Sequence, residues 1–250
     1  MNTFLASYKI ELYKLAMKKK YIVFTIISML ICVCRVGMMW MVSLMSQGQA
    51  KLQLGNLALE MLWVFTELII PLIIFMAVTD LFCSEFQENT IKAVITRPIT
   101  RLKLLMTKSL ACFSVAAIMF FGVYIVCTVL EMMFGDGSLH EYVIKNLGAY
   151  MIDLVPMIVL VLMSVLINMI CKTPTLAMFI CFLTYAVMKY CNYFVPSVNN
   201  VLFTSYSKWH QLWIGSTLPI GAMSSKIFLL IGTAIVFFTI SYYLFDKKDI

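Results

Sequence analysis

Six stretches of predominantly apolar residues, 21–45, 61–83, 109–134, 149–171, 175–195 and 227–245, divide this chain of 250 residues. Each holds about the 20 residues a helix needs to cross the hydrocarbon core of a bilayer. Lipid offers no partner for an open backbone group, so runs of this length pair their own amides as helices. Composition agrees: 62% of residues are apolar and 12% charged, where a soluble domain is nearer half and a quarter. An ordinary soluble enzyme, a disordered chain and a nucleic-acid-binding module are excluded on that ground. The fold class expected is an all-α integral membrane protein with six transmembrane helices. The first stretch is too long, and too far from the start, to be a cleaved signal peptide.

The net charge of +7 then reads as an orientation signal, because Lys and Arg are retained on the cytoplasmic side. Thirteen cations fall on one side: five lysines in residues 1–20, five cations in 84–108, then Lys172, Lys247 and Lys248. Only Lys51, Lys145, Lys208 and Lys226 fall on the other, and Arg35 and Lys189 lie within apolar runs. The expected location is the cell membrane, multi-pass, with both termini cytoplasmic.

Residues 1–20 place Phe4, Leu5, Tyr8, Leu12 and Leu15 at helical spacing with Lys9, Lys14 and Lys18 off that stripe. The pattern predicts a helix lying in the inner interface. On the outer side, residues 196–226 carry Tyr206, Trp209, Leu212 and Trp213, which predicts a loop resting on the outer leaflet. The eight cysteines lie inside apolar runs or at their ends and are expected to behave as small hydrophobes without disulfides.

Catalytic signatures are missing from the sequence. It has no Walker-type phosphate loop, no H-E-x-x-H and no G-x-S-x-G, and His140 and His210 both fall in outer loops. No cofactor or metal is expected on this chain, and an energy-requiring role would draw on a separate subunit.

The segment between the second and third runs is FCSEFQENTIKAVITRPITRLKLLMTKS. Ile91, Val94 and Ile95 share one helical face, and Pro98 ends that short helix by removing a donor and disfavouring helix at Arg97. A short helix with one apolar face suits a groove on a soluble partner. The residues Glu85, Glu88, Thr90, Ile91 and Lys92, followed by Thr96, Arg97, Pro98, Arg101 and Lys108, resemble the first cytoplasmic loop of ABC-2 type permeases. The ending from Phe245 through Asp249 is similar to the tail common in that family. Asn89 stands where the family often has glycine.

The resemblance implies a single six-span transmembrane domain whose residues 84–108 couple to a cytoplasmic ABC ATPase dimer through Glu85, Glu88, Thr90, Ile91, Lys92, Val94, Ile95, Arg97 and Arg101. It also implies a second permease copy, identical or a paralogue, and ATP with Mg held on the ATPase. Among such permeases the compact architecture resembles bacterial peptide-export and lantibiotic-immunity subunits, with amphipathic peptides and membrane lipid as expected partners. Export of drugs or lipids, or a six-span substrate-binding subunit without export, are the alternative functions.

Four charges share one layer within the apolar runs. At about 1.5 Å per residue, Arg35, Glu67, Lys189 and Asp153 lie roughly 21 to 27 Å from the cytoplasmic ends of their helices. Charges at that depth pair or face water. Either all four pair across helices, or Asp153 and Lys189 snorkel outward and Arg35 and Glu67 meet each other. Glu131 lies nearer the outer end of its run and is expected to be solvated. Pro71 and Pro156 are placed to kink their helices near the same layer.

Overall fold

The structure, a computed structural model, describes residues 3–45, 57–88, 99–134, 139–194, 202–210 and 220–248, and every element among them is helical. An N-terminal helix, Thr3–Ala16, precedes six helices long and apolar enough to span a membrane. These are span one (Lys19–Met45), span two (Leu57–Gln87), span three (Arg101–Phe134), span four (Val143–Ile170), span five (Pro174–Phe194) and span six (Ser224–Lys247). The helices of spans four and six begin earlier still, at Leu139 and Ile220. Hydropathy falls where polar side chains appear, whereas backbone hydrogen bonding continues past that point, so the helices outrun the apolar stretches.

Burial sorts the six. Within their most apolar windows 67% of span two and 61% of span four are buried, against 17%, 17% and 11% for spans one, five and six. Spans two and four therefore form the centre, span three packs along both, and the remaining three wrap them. Aromatic residues fill the join: Tyr150 lies against Phe120 and Tyr124, with ring centroids 4.8 and 5.1 Å apart. Its hydroxyl donates to Ala58 O at 2.9 Å.

Span two is not uniform in its hydrogen bonding. Phe65–Ile69 forms a π-helical turn in which Ile70 N–H donates to Phe65 O, and Pro71 follows at once. Proline has no N–H for the carbonyl four residues back, here that of Glu67. Tyr185 of span five supplies the missing donor, its hydroxyl lying 3.0 Å from Glu67 O. Pro156, by contrast, sits inside an unbroken helix.

Two expectations need correction. Glu131 is not solvated: it is 3% exposed and accepts Ala58 N–H at 2.8 Å. The first amides of a helix have no partner within it, and a carboxylate suits that positive end; the C-terminal end of span three thus caps the start of span two. The N-terminal helix packs on span three through Ser7, Glu11 and Leu15, with Phe4, Tyr8 and Leu12 half-buried and Leu5 exposed. The loop aromatics Tyr206 and Trp209 are buried. They accompany a 3₁₀ turn, Phe203–Lys208, whose Thr204 accepts Asn192 Nδ2 at 2.9 Å and whose Phe203 meets Phe237 edge-on. Leu212 and Trp213 lie outside the described residues.

Replacing Glu131 with Ala orphans a buried amide and should destabilise the fold by about 1–3 kcal/mol. Glu131→Gln keeps an oxygen acceptor and should recover most of the loss. Thermal melts of the purified protein in detergent measure both, and equal melting of wild type and Glu131→Ala would refute the cap.

Candidate functional site

At the end of the bundle that gathers both termini, three helices meet around a lysine. Lys108 of span three has 0% exposure, and its ammonium group uses its three donors on Glu85 Oε2 (2.6 Å), Leu81 O (3.0 Å) and Glu11 Oε2 (3.4 Å). Glu11, 1% exposed, comes from the N-terminal helix, and Glu85 from the last turn of span two. Lys14 joins both carboxylates, at 2.9 Å to Glu85 and 3.3 Å to Glu11. Two anions and two cations therefore form a neutral, mostly buried square. The helical break at Phe82, with φ −110° and ψ −76°, turns the Cys83–Gln87 segment so that Glu85 faces inward. The Ser7 and Thr107 hydroxyls meet each other at 3.4 Å, and Tyr8 reaches Ser114 at 2.7 Å.

Lys14 shows the electrostatic balance. Burial alone would lower its pKa, but the hydrogen bond to Glu85 and the negative charges of Glu11 and Glu85 outweigh it and hold the ammonium above the ordinary lysine value of 10.5. A raised folded-state pKa favours the native protein fully below 10.5, and this contribution is lost only as pH climbs through the lysine range.

A second cluster lies beside the first. Asp80 of span two receives Lys20 Nζ at 2.6 Å, Tyr21 Oη at 2.7 Å and Lys18 Nζ at 3.2 Å, tying the start of span one to span two. The C-terminus closes the same end: Arg101 contacts the carbonyls of Phe245 and Asp246, and Lys248 donates to Met169 O at 3.2 Å while lying 3.9 Å from the Phe86 ring centre. Burial pulls the Lys248 pKa below the ordinary lysine value.

These contacts place the residues expected to meet a soluble partner. Glu85 is buried and paired within the chain, and Arg101, partly exposed, contacts the C-terminal residues, so both hold the roots of the loop. Glu88 is exposed at the end of span two. Thr90, Ile91, Lys92, Val94, Ile95 and Arg97 lie outside the described residues. Glu11 and Asp80 were passed over in the sequence; an acid inside a lysine-rich helix and one embedded in an apolar run were the available signals.

The intramembrane charges pair differently from the expected Arg35–Glu67 contact. Arg35 meets Glu60 at 2.8 Å, Lys189 meets Glu67 at 3.2 Å, and Asp153 holds His210 through both its backbone N–H (2.9 Å) and its Nδ1 (2.6 Å). The expected Arg35–Glu67 contact is thus corrected: Glu60, in the first helical turn of span two, takes Arg35, and Glu67 takes Lys189. Asp153 and Lys189 do not snorkel, because each finds a partner on a neighbouring segment.

Lys108→Met leaves Glu11 and Glu85 sharing one lysine and should cost about 3–5 kcal/mol. Adding Glu11→Gln restores charge balance and should recover part of that loss; strict additivity in thermal melts would mean the square is not one unit. In the outer half, double-mutant cycles should give coupling for Arg35 with Glu60 and for Glu67 with Lys189, and none for Arg35 with Glu67.

The comparison with known families bears on this geometry. The family described as ABC-2 family transporter protein matches residues 8–192; a search of curated proteins finds no match to the chain. The matched region runs from the N-terminal helix that supplies Glu11 to the end of span five, and so includes the loop whose roots the charge clusters hold. With well over half its length matched and six helices able to span a membrane, the chain belongs to the ABC-2 transporter family as a membrane permease subunit of an ABC transporter.

Proposed function

We propose that this subunit exports amphipathic peptides, taking its energy from a separate ABC ATPase dimer that binds ATP and Mg and docks on the loop between spans two and three. What carries this reading is the buried square of Glu11, Lys14, Glu85 and Lys108. A force applied to a loop is transmitted only if its roots are stiff, and here one root is tied to the N-terminal helix and the body of span three. The other root is braced by Arg101 against the C-terminal residues. The basic end of the bundle is then cytoplasmic, in line with the distribution of Lys and Arg.

A second copy of the permease completes the path. Arg35 and Glu60 are both more than a third exposed and the Glu67–Lys189 pair is partly exposed, although they lie within or beside apolar helices. Lipid tails are a costly neighbour for such pairs, which favours a seam between two copies, or water within it, over spans one, two and five. Peptide cargo is preferred to sugars because a substrate already partitioned into the membrane reaches such a seam sideways. Drugs or lipids remain the alternative cargo.

The face formed by Ile91, Val94 and Ile95 provides the test. Ile91→Asp with Val94→Asp should abolish copurification with the ATPase, or uncouple ATP turnover from transport, while the permease still inserts and melts normally. Cells expressing the intact pair should accumulate less of a membrane-active peptide than cells expressing the variant. Normal complex formation and transport in the variant would overturn the docking assignment, and unchanged accumulation with a working complex would overturn the peptide.

A further inference from the structure

Between the basic halves of spans two and five lies a groove of about 460 Å³, within the range of small-molecule sites. Phe75, Met76, Phe179 and Phe182 make its walls apolar, and Lys20, Thr79, Asp80 and Ser84 make its end polar. The polar end lies where span one begins, span five begins and span two ends, the level of lipid headgroups.

Two observations distinguish it from a crevice between helices. The single negative charge of Asp80 faces both Lys18 and Lys20, leaving a surplus of one cation. Thr79 is 6% exposed, yet its hydroxyl has no hydrogen-bond partner. Other threonines in these helices donate to a carbonyl one turn back, as Thr66 does to Leu62 and Thr233 to Leu229. A buried hydroxyl left without that bond is costly unless something else accepts it.

We propose that this groove binds one phospholipid with an anionic headgroup. Its phosphate lies against Lys18 and Lys20 and accepts the Thr79 hydroxyl, and one acyl chain runs between the four large apolar side chains. The chemistry selects this occupant. Inorganic phosphate would leave the apolar walls unused, and a choline headgroup or a cationic peptide would bring positive charge to a mouth already in surplus. Because Ser84 lines the groove next to Glu85, occupancy would brace the root of the loop, and a ligand bound only by the folded protein raises its stability. The site depends on neither the cargo nor the direction of transport.

The full chain, purified in detergent and stripped of lipid, is titrated with phosphatidylglycerol or phosphatidylcholine of the same acyl chains, with retention read by native mass spectrometry and stability by thermal melting. Phosphatidylglycerol should be retained and raise the melting temperature, and phosphatidylcholine should bind at least several-fold more weakly. Thr79→Val removes a hydroxyl with no protein partner, so lipid-free melting should be unchanged while phosphatidylglycerol binding weakens roughly tenfold, the scale of one hydrogen bond to a charged acceptor. Lys20→Met should weaken phosphatidylglycerol and narrow its advantage over phosphatidylcholine. Equal binding of the two lipids, or phosphatidylglycerol binding unchanged in both variants, overturns the proposal. So does equal stabilisation by inorganic phosphate, or a synthetic Lys/Leu amphipathic helix that outcompetes phosphatidylglycerol and binds tighter to Lys20→Met.

Discussion

A fully buried ammonium group sets the terms for one end of this protein. Lys108 has three donors and no water, so three acceptors must be delivered to it, and they come from two other segments: Glu11, Leu81 O and Glu85. Removing charges from water is expensive, and their attraction compensates only with good geometry and balanced charge. Lys14 provides the balance by neutralising the second carboxylate. The N-terminal helix is consequently fixed against span three by the charge it must supply.

The same principle, that a polar group away from water is costly unless it is paired, organises much of the rest of the bundle. Pro71 removes a donor from span two and Tyr185 restores one to Glu67 O. The open amide end of span two is met by Glu131, and Asp153 clamps His210 through two contacts. Each repair joins helices distant in sequence, so the polar groups give the bundle a specific register that apolar packing alone would leave loose. Apolar surfaces slide past one another at little cost in lipid; a carboxylate facing an amide does not.

The arrangement separates a stiff region from an exposed one. Spans two and four are packed at the centre, span two rooted by ion pairs at the basic end, whereas spans one, five and six leave most of their apolar windows unburied. Half-exposed pairs, Arg35 with Glu60 and Lys189 with Glu67, occur where the central span meets the outer ones. A rigid core carrying a loop at one end and polar pairs on a flank can pass a displacement from the loop to that flank.

The sequence by itself determined the class of this protein. Six apolar runs require six helices, because hydrocarbon forces each run to pair its own backbone, and the loop motif together with the span count led to the ABC-2 family that the match over residues 8–192 supports. The presence of Arg35, Glu67, Asp153 and Lys189 inside or beside apolar runs was equally legible. Their partners were not. Pairing depends on helix rotation, and a single π turn at Phe65–Ile69 shifts every later residue of span two around its axis, which no straight-helix count anticipates. Glu11, Asp80 and His210 appeared as ordinary interface, span and loop residues because their partners lie 97, 60 and 57 positions away. Hydropathy is a local property and fixes how many helices form; charge pairing is a three-dimensional one, and only the tertiary packing decided which helix each charge would hold.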